Sequence, residues 1–293
     1  MNTILVTGSN GQLGNELRVL SAVYPAYNFL FVTRKELDID DFEAVEKHFA
    51  SHNIKYCINC AAYTAVDKAE TEKEMAFLIN GDAVGNLAKV CQQYNSALIH
   101  ISTDYVFDGM ATSPIKENQP TKPIGVYGAS KLKGEKLALQ YNRGTIIIRT
   151  SWVYSSFGNN FVKTMVRLMK ERESINVVND QQGCPTYAAD LAVAIMQIIK
   201  SKTENPQTTI GNIFNYSNSG NVNWYEFAIA IKELTNSKCI VNPIPTSQYP
   251  TPAKRPQYSV LDTSKIQQTF NVAVPAWKDS LQKCLAMLHP GKY

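Results

Sequence analysis

No apolar run in this chain of 293 residues approaches the roughly 18–20 residues that a bilayer crossing requires, so a membrane partner is not expected. The N-terminus has no basic segment ahead of its apolar run, and that run is too short for a secretory signal. Neither sign of charge dominates: 29 Lys and Arg against 25 Asp and Glu leave a formal +4, with the basic residues scattered. That balance argues against a dedicated nucleic-acid surface and suits an anionic small molecule. Histidine is scarce, with four residues, and no metal-site spacing appears among the histidines and cysteines. Cys57 and Cys60 have redox-like spacing, but they fall in an apparent strand, where residues three apart face opposite ways. All six cysteines (57, 60, 91, 184, 239 and 284) therefore read as reduced core thiols of a cytoplasmic protein. Internal repeats are missing too. The one biased stretch, 240–259, carries Pro243, Pro245, Pro250, Pro252 and Pro256 and reads as mostly extended loop.

Apolar residues make up 44% of the chain, enough for a substantial core. Apolar, β-branched runs at 3–7, 28–32, 55–60, 97–102 and 144–149 alternate with helical patterns near 12–21, 41–51, 73–94 and 129–141. The run Thr145-Ile146-Ile147-Ile148 suits a parallel strand buried on both faces. After residue 150 the pattern loosens: helices near 159–171, 187–200, 224–235 and 276–288, strands near 174–179 and 212–216. The expected fold is α/β, a doubly wound parallel (Rossmann) sheet. Residues 1–150 form the dinucleotide-binding domain and 151–293 a smaller, irregular substrate-binding part. The helix near 187–200 and the strand near 212–216 are expected to pack back on the nucleotide domain.

Ligands of such sheets gather at the carboxyl ends of the strands, and the informative residues lie there. Ile4-Leu5-Val6 leads into Thr7-Gly8-Ser9-Asn10-Gly11-Gln12-Leu13-Gly14 and then a helical stretch. Strand, glycine turn and helix in that order form a dinucleotide fingerprint, spaced G-x-x-G-x-x-G. After the second strand, Thr33-Arg34 occupies the ribose-reading position, and an arginine there accommodates a 2′-phosphate, so NADPH is the expected cofactor and NADH the alternative. After the third strand, Ala61 and Ala62 leave room for a flat ring. Thr103, after the fourth strand, can hydrogen-bond a carbonyl. Tyr127 and Lys131 are one helical turn apart and project from the same face, where a lysine charge favours the phenolate. Trp152 offers apolar area and one N–H donor.

Together these features resemble the extended short-chain dehydrogenase/reductases, and within them the dTDP-4-dehydrorhamnose reductases. The resemblance is carried by Cys60 to Glu70 (CAAYTAVDKAE), Ser102 to Gly109 (STDYVFDG), Tyr127 to Lys131 (YGASK), Arg149 to Tyr154 (RTSWVY), Asn179 to Thr186 (NDQQGCPT) and Pro252 to Pro256 (PAKRP). It implies reduction of the C4 keto group of a nucleotide-linked sugar, dTDP-4-dehydro-L-rhamnose, to dTDP-L-rhamnose. It also implies site roles: Tyr127 as general acid, Lys131 holding the nicotinamide ribose and depressing the tyrosine pKa, and Thr103 orienting the carbonyl. Gly8, Gly11, Gln12 and Leu13 would meet the pyrophosphate. Asp38 and Ile39 fall on the adenine side, Ala61, Ala62 and Tyr63 along the cofactor, and Thr103, Asp104 and Trp152 on the sugar nucleotide. Some members dimerise around a magnesium ion held by surface glutamates; Glu16 matches one such position and Asp190 only inexactly, so no metal is expected and a homodimer stays open. The alternatives are a reductase of another nucleotide-linked 4-keto sugar and a non-catalytic NADP-binding regulatory subunit.

Overall fold

The computed structural model of the protein describes residues 1–204 and 213–288. Six parallel strands form the central sheet: β1 (Asn2–Thr7), β2 (Tyr27–Phe31), β3 (Ile54–Asn59), β4 (Ala97–Thr103), β5 (Ile146–Thr150) and, from the second half of the chain, β10 (Ile213–Asn215). Their order is β2-β1-β3-β4-β5-β10. The chain runs outward from β1 to β2 and then crosses back to β3, so the topological switch point lies between β1 and β3. Ile4, Leu5, Val6, Ile147 and Ile148 are fully buried, because helices cover both sheet faces.

One face is covered by α2 (Phe42–Ser51), α5 (Ala83–Gln93) and α6 (Val126–Tyr141), whose apolar stripes close over Leu5, Cys57, Leu98 and Ile147. The other face carries α1 (Gln12–Ser21) and α8 (Ala188–Glu204). Leu191, Ile195 and Ile199 of α8 join Leu17 of α1 in the core beneath that face, and α10 (Ser264–Phe270) adds Ile266 and Phe270. Thus β10, though late in sequence, pairs with β5 in the central sheet, and α8 packs on one of that sheet's faces.

The remaining C-terminal elements build a second core. It is enclosed by α7 (Phe161–Glu171), α9 (Trp224–Leu234) and α11 (Trp277–Leu288), with three short two-stranded ladders. These pair β7 (Ser174–Val178) with β12 (Ile240–Ile244), β8 (Gln182–Gly183) with β11 (Val222–Asn223), and β6 (Val153–Tyr154) with β9 (Thr186–Tyr187). Local sequence fixes the helix starts: Asn160 caps α7 by accepting from the Lys163 N–H, and Asn223 with Glu226 forms a capping box on α9. No helix among the described residues is long and apolar enough to cross a membrane.

Several local expectations differ. The helix expected over 73–94 is α4 (Lys73–Phe77), a π-helical turn at Leu78–Asp82, and α5. The turn delivers Asn80 to Tyr63 and Ser130: its Oδ1 accepts from the Tyr63 N–H, and its amide donates to the Tyr63 carbonyl and the Ser130 hydroxyl. Helix α6 begins at Val126 and not near 129, because the Glu70 carboxylate, just past α3 (Val66–Ala69), accepts the Val126 N–H at 2.9 Å. Within the proline-rich stretch, Ile240–Ile244 is a true strand, with Pro243 on the outer edge of a two-stranded ladder, where no further strand among the described residues needs its missing N–H. Of the strand expected at 212–216, position 212 lies outside the described residues and the strand runs Ile213–Asn215.

Candidate active site

The carboxyl ends of β1, β3, β4 and β5 open into one cleft of about 740 Å³. At the end of β1, Gly8 has φ +61°, and a Cβ there would sit 2.7 Å from the Ala61 backbone nitrogen, so this crossing of two loops at the switch point admits only glycine. Gly11 is the N-cap of α1, with no side-chain acceptor on the helix and no acidic residue in its first turn. The unpaired N–H groups there suit an anion. Gly8, Gly11, Gln12 and Leu13 line this end of the cleft, with Arg34, Asp38 and Ile39 beyond and Ala61 and Ala62 along its side. The large cleft, the bare helix start and the glycine crossing fit a dinucleotide.

Arg34 is exposed and already engaged: its Nε donates to Asp38 at 2.7 Å, and a terminal nitrogen lies 3.4 Å from Asp40. Tyr63 is the one expected site residue that does not line the cleft. Its hydroxyl donates to Glu72 at 2.6 Å, and its ring packs beside Ile39, Ile79 and Ala83, because Asn80 pins its backbone from the π-helical turn.

Deeper in, β4 ends at Thr103 and α6 carries Tyr127 and Lys131 over it. Thr103 and Asp104 are buried; the Thr103 hydroxyl donates to Asp104 Oδ1 at 3.0 Å and accepts from the Tyr105 N–H. Asp104 Oδ2 is buried at the cleft wall with no hydrogen bond of good geometry, although the Ser259 hydroxyl eases its charge. Burial pushes the Asp104 carboxyl up to about 6, with the Thr103 and Ser259 hydroxyls opposing. Burial also pushes Tyr127 up to about 12, reinforced by the Asp104 charge and opposed by the Thr103 hydroxyl, and Tyr105 meets the Tyr127 ring edge-on at 5.5 Å. Lys131, 2% exposed, is pulled down to about 8 by burial.

The expectation that Lys131 lowers the Tyr127 pKa is corrected by this geometry. The lysine Nζ is held on β4, 2.6 Å from the Ile101 carbonyl oxygen and 3.3 Å from His100 Nε2, and burial of the phenol dominates its shift. Behind the lysine, Glu135 accepts from the Ser102 hydroxyl and, side-on, from Nε and one terminal nitrogen of the Arg149 guanidinium, a buried pair with a 2.7 Å contact.

The C-terminal part closes the cleft with Trp152, held at φ +48° and stacked on Trp224 with ring centroids 3.5 Å apart. A Cβ on Gly183 would sit 2.6 Å from that indole, so the glycine makes room for it. Glu16 is buried and accepts from Ser155, while Asp190 accepts from Asn218 and Ser280. Among the described residues no cluster of three or more His, Cys, Asp or Glu is placed to hold a metal. Cys60 proves to lie past the end of β3, on the cleft wall, and not within the strand. Sequence reasoning missed Tyr105, Gly158 and Asn159 on the cleft wall, and His100 behind it. Tyr105 lies within the Ser102–Gly109 motif; a lone strand histidine gave no signal.

The family described as RmlD substrate binding domain matches residues 1–289. A dTDP-4-dehydrorhamnose reductase of Aggregatibacter actinomycetemcomitans is 41% identical over 292 residues, covering 98% of this chain and 99% of that protein. Among solved structures, a dTDP-4-dehydrorhamnose reductase from Clostridium acetobutylicum is 39% identical with a TM-score of 0.92, covering 98% of this chain and 99% of that one. A Bacillus anthracis dTDP-4-dehydrorhamnose reductase in complex with NADP is 38% identical, again with a TM-score of 0.92, covering 98% of this chain and 100% of that one.

Proposed function

The chain belongs to the RmlD family of dTDP-4-dehydrorhamnose reductases, and from that premise we propose that it reduces the C4 keto group of dTDP-4-dehydro-L-rhamnose to dTDP-L-rhamnose with NADPH. The observation that carries the reading is the meeting of the glycine turn, Thr103, Asp104, Tyr127, Lys131 and Trp152 in one cleft at the sheet's switch point. When bound, NADPH supplies the hydride.

The chain's own residues supply position and the proton. With its pKa near 12, the Tyr127 phenol keeps its proton throughout the neutral range and can give it to the alkoxide oxygen that a reduced carbonyl becomes. Thr103, beside that phenol, orients the carbonyl oxygen. The buried Asp104 Oδ2, which makes no hydrogen bond of good geometry in the free protein, accepts a sugar hydroxyl. The Trp152 indole, fixed by Trp224, packs on the apolar face of the deoxysugar. Gly8, Gly11, Gln12 and Leu13 receive the pyrophosphate at the bare start of α1. Asp38 and Ile39 meet the adenine side, and Ala61 and Ala62 flank the nicotinamide half. Arg34 leaves Asp38 for the 2′-phosphate, a stronger anion. Lys131 meets the nicotinamide ribose. We place the activity in the cytoplasm, in keeping with six unpaired thiols; light scattering tests a homodimer.

The test is NADPH consumption with the keto sugar generated in situ by the preceding enzyme activities. Consumption that depends on this protein and yields dTDP-rhamnose supports the reading. NADPH binding without turnover on this sugar, and turnover on another nucleotide-linked 4-keto sugar, would reassign the substrate.

A further inference from the structure

His100 is fully buried in the middle of β4, behind the cleft. Its two ring nitrogens face Asn59 and Lys131: Nδ1 lies 3.1 Å from the Asn59 amide nitrogen, Nε2 lies 3.3 Å from Lys131 Nζ. Asn59, equally buried, sits across the switch point from Thr7 at the end of β1. Its Oδ1 accepts from the Thr7 hydroxyl at 2.7 Å and from the Ala61 N–H at 3.2 Å.

Hydrogen-bond polarity propagates along this chain. A backbone N–H only donates, so the Ala61 contact fixes which end of the Asn59 amide is oxygen. The other end, the NH₂, must donate to His100 Nδ1, which therefore carries a lone pair. The imidazole hydrogen then lies on Nε2, facing Lys131 Nζ. An ammonium there would set donor against donor, because it has no lone pair. A neutral amine satisfies every group: it accepts from His100 Nε2–H and donates to the Ile101 carbonyl at 2.6 Å.

We infer that His100 is a positioning residue that docks Lys131 as a neutral amine, and that the lysine must take a proton from solvent and leave His100 to meet the cofactor ribose as an ammonium. The other groups around the lysine do not remove this choice. Glu135, on the same helix, favours the ammonium but is engaged by Arg149 of β5 and Ser102 of β4. The Cys60 thiol, from the loop after β3, favours it weakly and is itself pushed up by burial. Tyr127 and Asp104 face the cleft, the side to which a charged lysine would turn. Burial opposes all of these and also keeps His100 uncharged, well below its ordinary value. The two lysine states therefore interchange at about pH 8. The coupling to cofactor rests on the reductase reading; the docking does not.

Long-range proton–nitrogen NMR of the cofactor-free protein, labelled with ¹⁵N-histidine, reads the tautomer directly. The expected His100 signal is the neutral Nε2–H form between about pH 7 and 9, and an Nδ1–H tautomer or a charged ring overturns the docking. Asn59→Asp tests the relay by shape-conserving exchange: a carboxylate must receive Nδ1–H, so the tautomer flips, Nε2 accepts from the ammonium, and the lysine titrates at higher pH. Calorimetry of NADP⁺ binding at about pH 8.5, in buffers of differing ionisation enthalpy, should show uptake of about three-quarters of a proton, the neutral fraction for a group near 8. NADP⁺ binding without uptake overturns the coupling. Failure to bind NADP⁺ at all counts against the reductase reading and leaves the tautomer result standing.

Discussion

Replacing Lys131 with methionine should cost turnover and yet reveal how much the fold gives up to keep a lysine there. Burial holds the Lys131 ammonium at about 8, against an ordinary 10.5. Below about pH 8 the lysine is protonated in both folded and unfolded chains, and the fold carries the full penalty of the buried charge. Between about 8 and 10.5 the folded protein sheds its proton while the unfolded chain keeps it, so the penalty fades as pH rises. At about 1.36 kcal/mol per pKa unit, the wild type should gain roughly 2.5 kcal/mol relative to Lys131→Met between about pH 7 and pH 10. Packing differences between the two side chains do not depend on pH and drop out of this comparison. Urea unfolding of both cofactor-free proteins across that range measures it. A constant difference, or one that moves against the wild type, would refute the buried, depressed lysine.

Tyr127→Phe should lower kcat by roughly 10²–10⁴-fold, the usual loss for a general acid, while NADP⁺ affinity measured by calorimetry changes little. The Asp104 carboxyl titrates near 6, so kcat/KM should fall as pH drops below that value, and Asp104→Asn should remove that acid limb from the pH profile. Arg34→Ala should weaken NADPH selectively, by about tenfold in Kd, with NADH little affected, because roughly one charge-assisted hydrogen bond to the 2′-phosphate is lost. Gly8→Ala combines an unfavourable φ of +61° with a Cβ 2.7 Å from the Ala61 nitrogen; it should lower the unfolding midpoint and abolish cofactor binding together.

The alternation of apolar runs with helical patterns made the nucleotide half legible, since each parallel strand buried on both faces leaves a continuous apolar signature such as Ile146–Ile148. Local motif chemistry likewise marked Gly8, Thr103, Tyr127 and Lys131, which the fold gathers into one cleft. What escaped was set by partners distant in sequence. Glu70 extends α6 by capping Val126, Asn80 diverts Tyr63 from the cleft, and β7 turns the proline-bearing Ile240–Ile244 into a strand. The direction of Lys131 was also hidden: an i, i+4 spacing places two residues on one helix face but cannot register that His100 and Ile101 of the neighbouring strand hold the amine. For the same reason the tyrosine pKa runs upward, through burial, where the spacing alone suggested downward.

Isotope transfer tests the central claim most directly. Incubating the protein with NADPH deuterated at the transferable nicotinamide position and dTDP-4-dehydrorhamnose, then reading the product by NMR and mass spectrometry, should place one deuterium on C4 of dTDP-rhamnose for each NADPH consumed. NADPH consumption with no deuterium at C4, or a labelled product of another sugar configuration, would contradict the assignment.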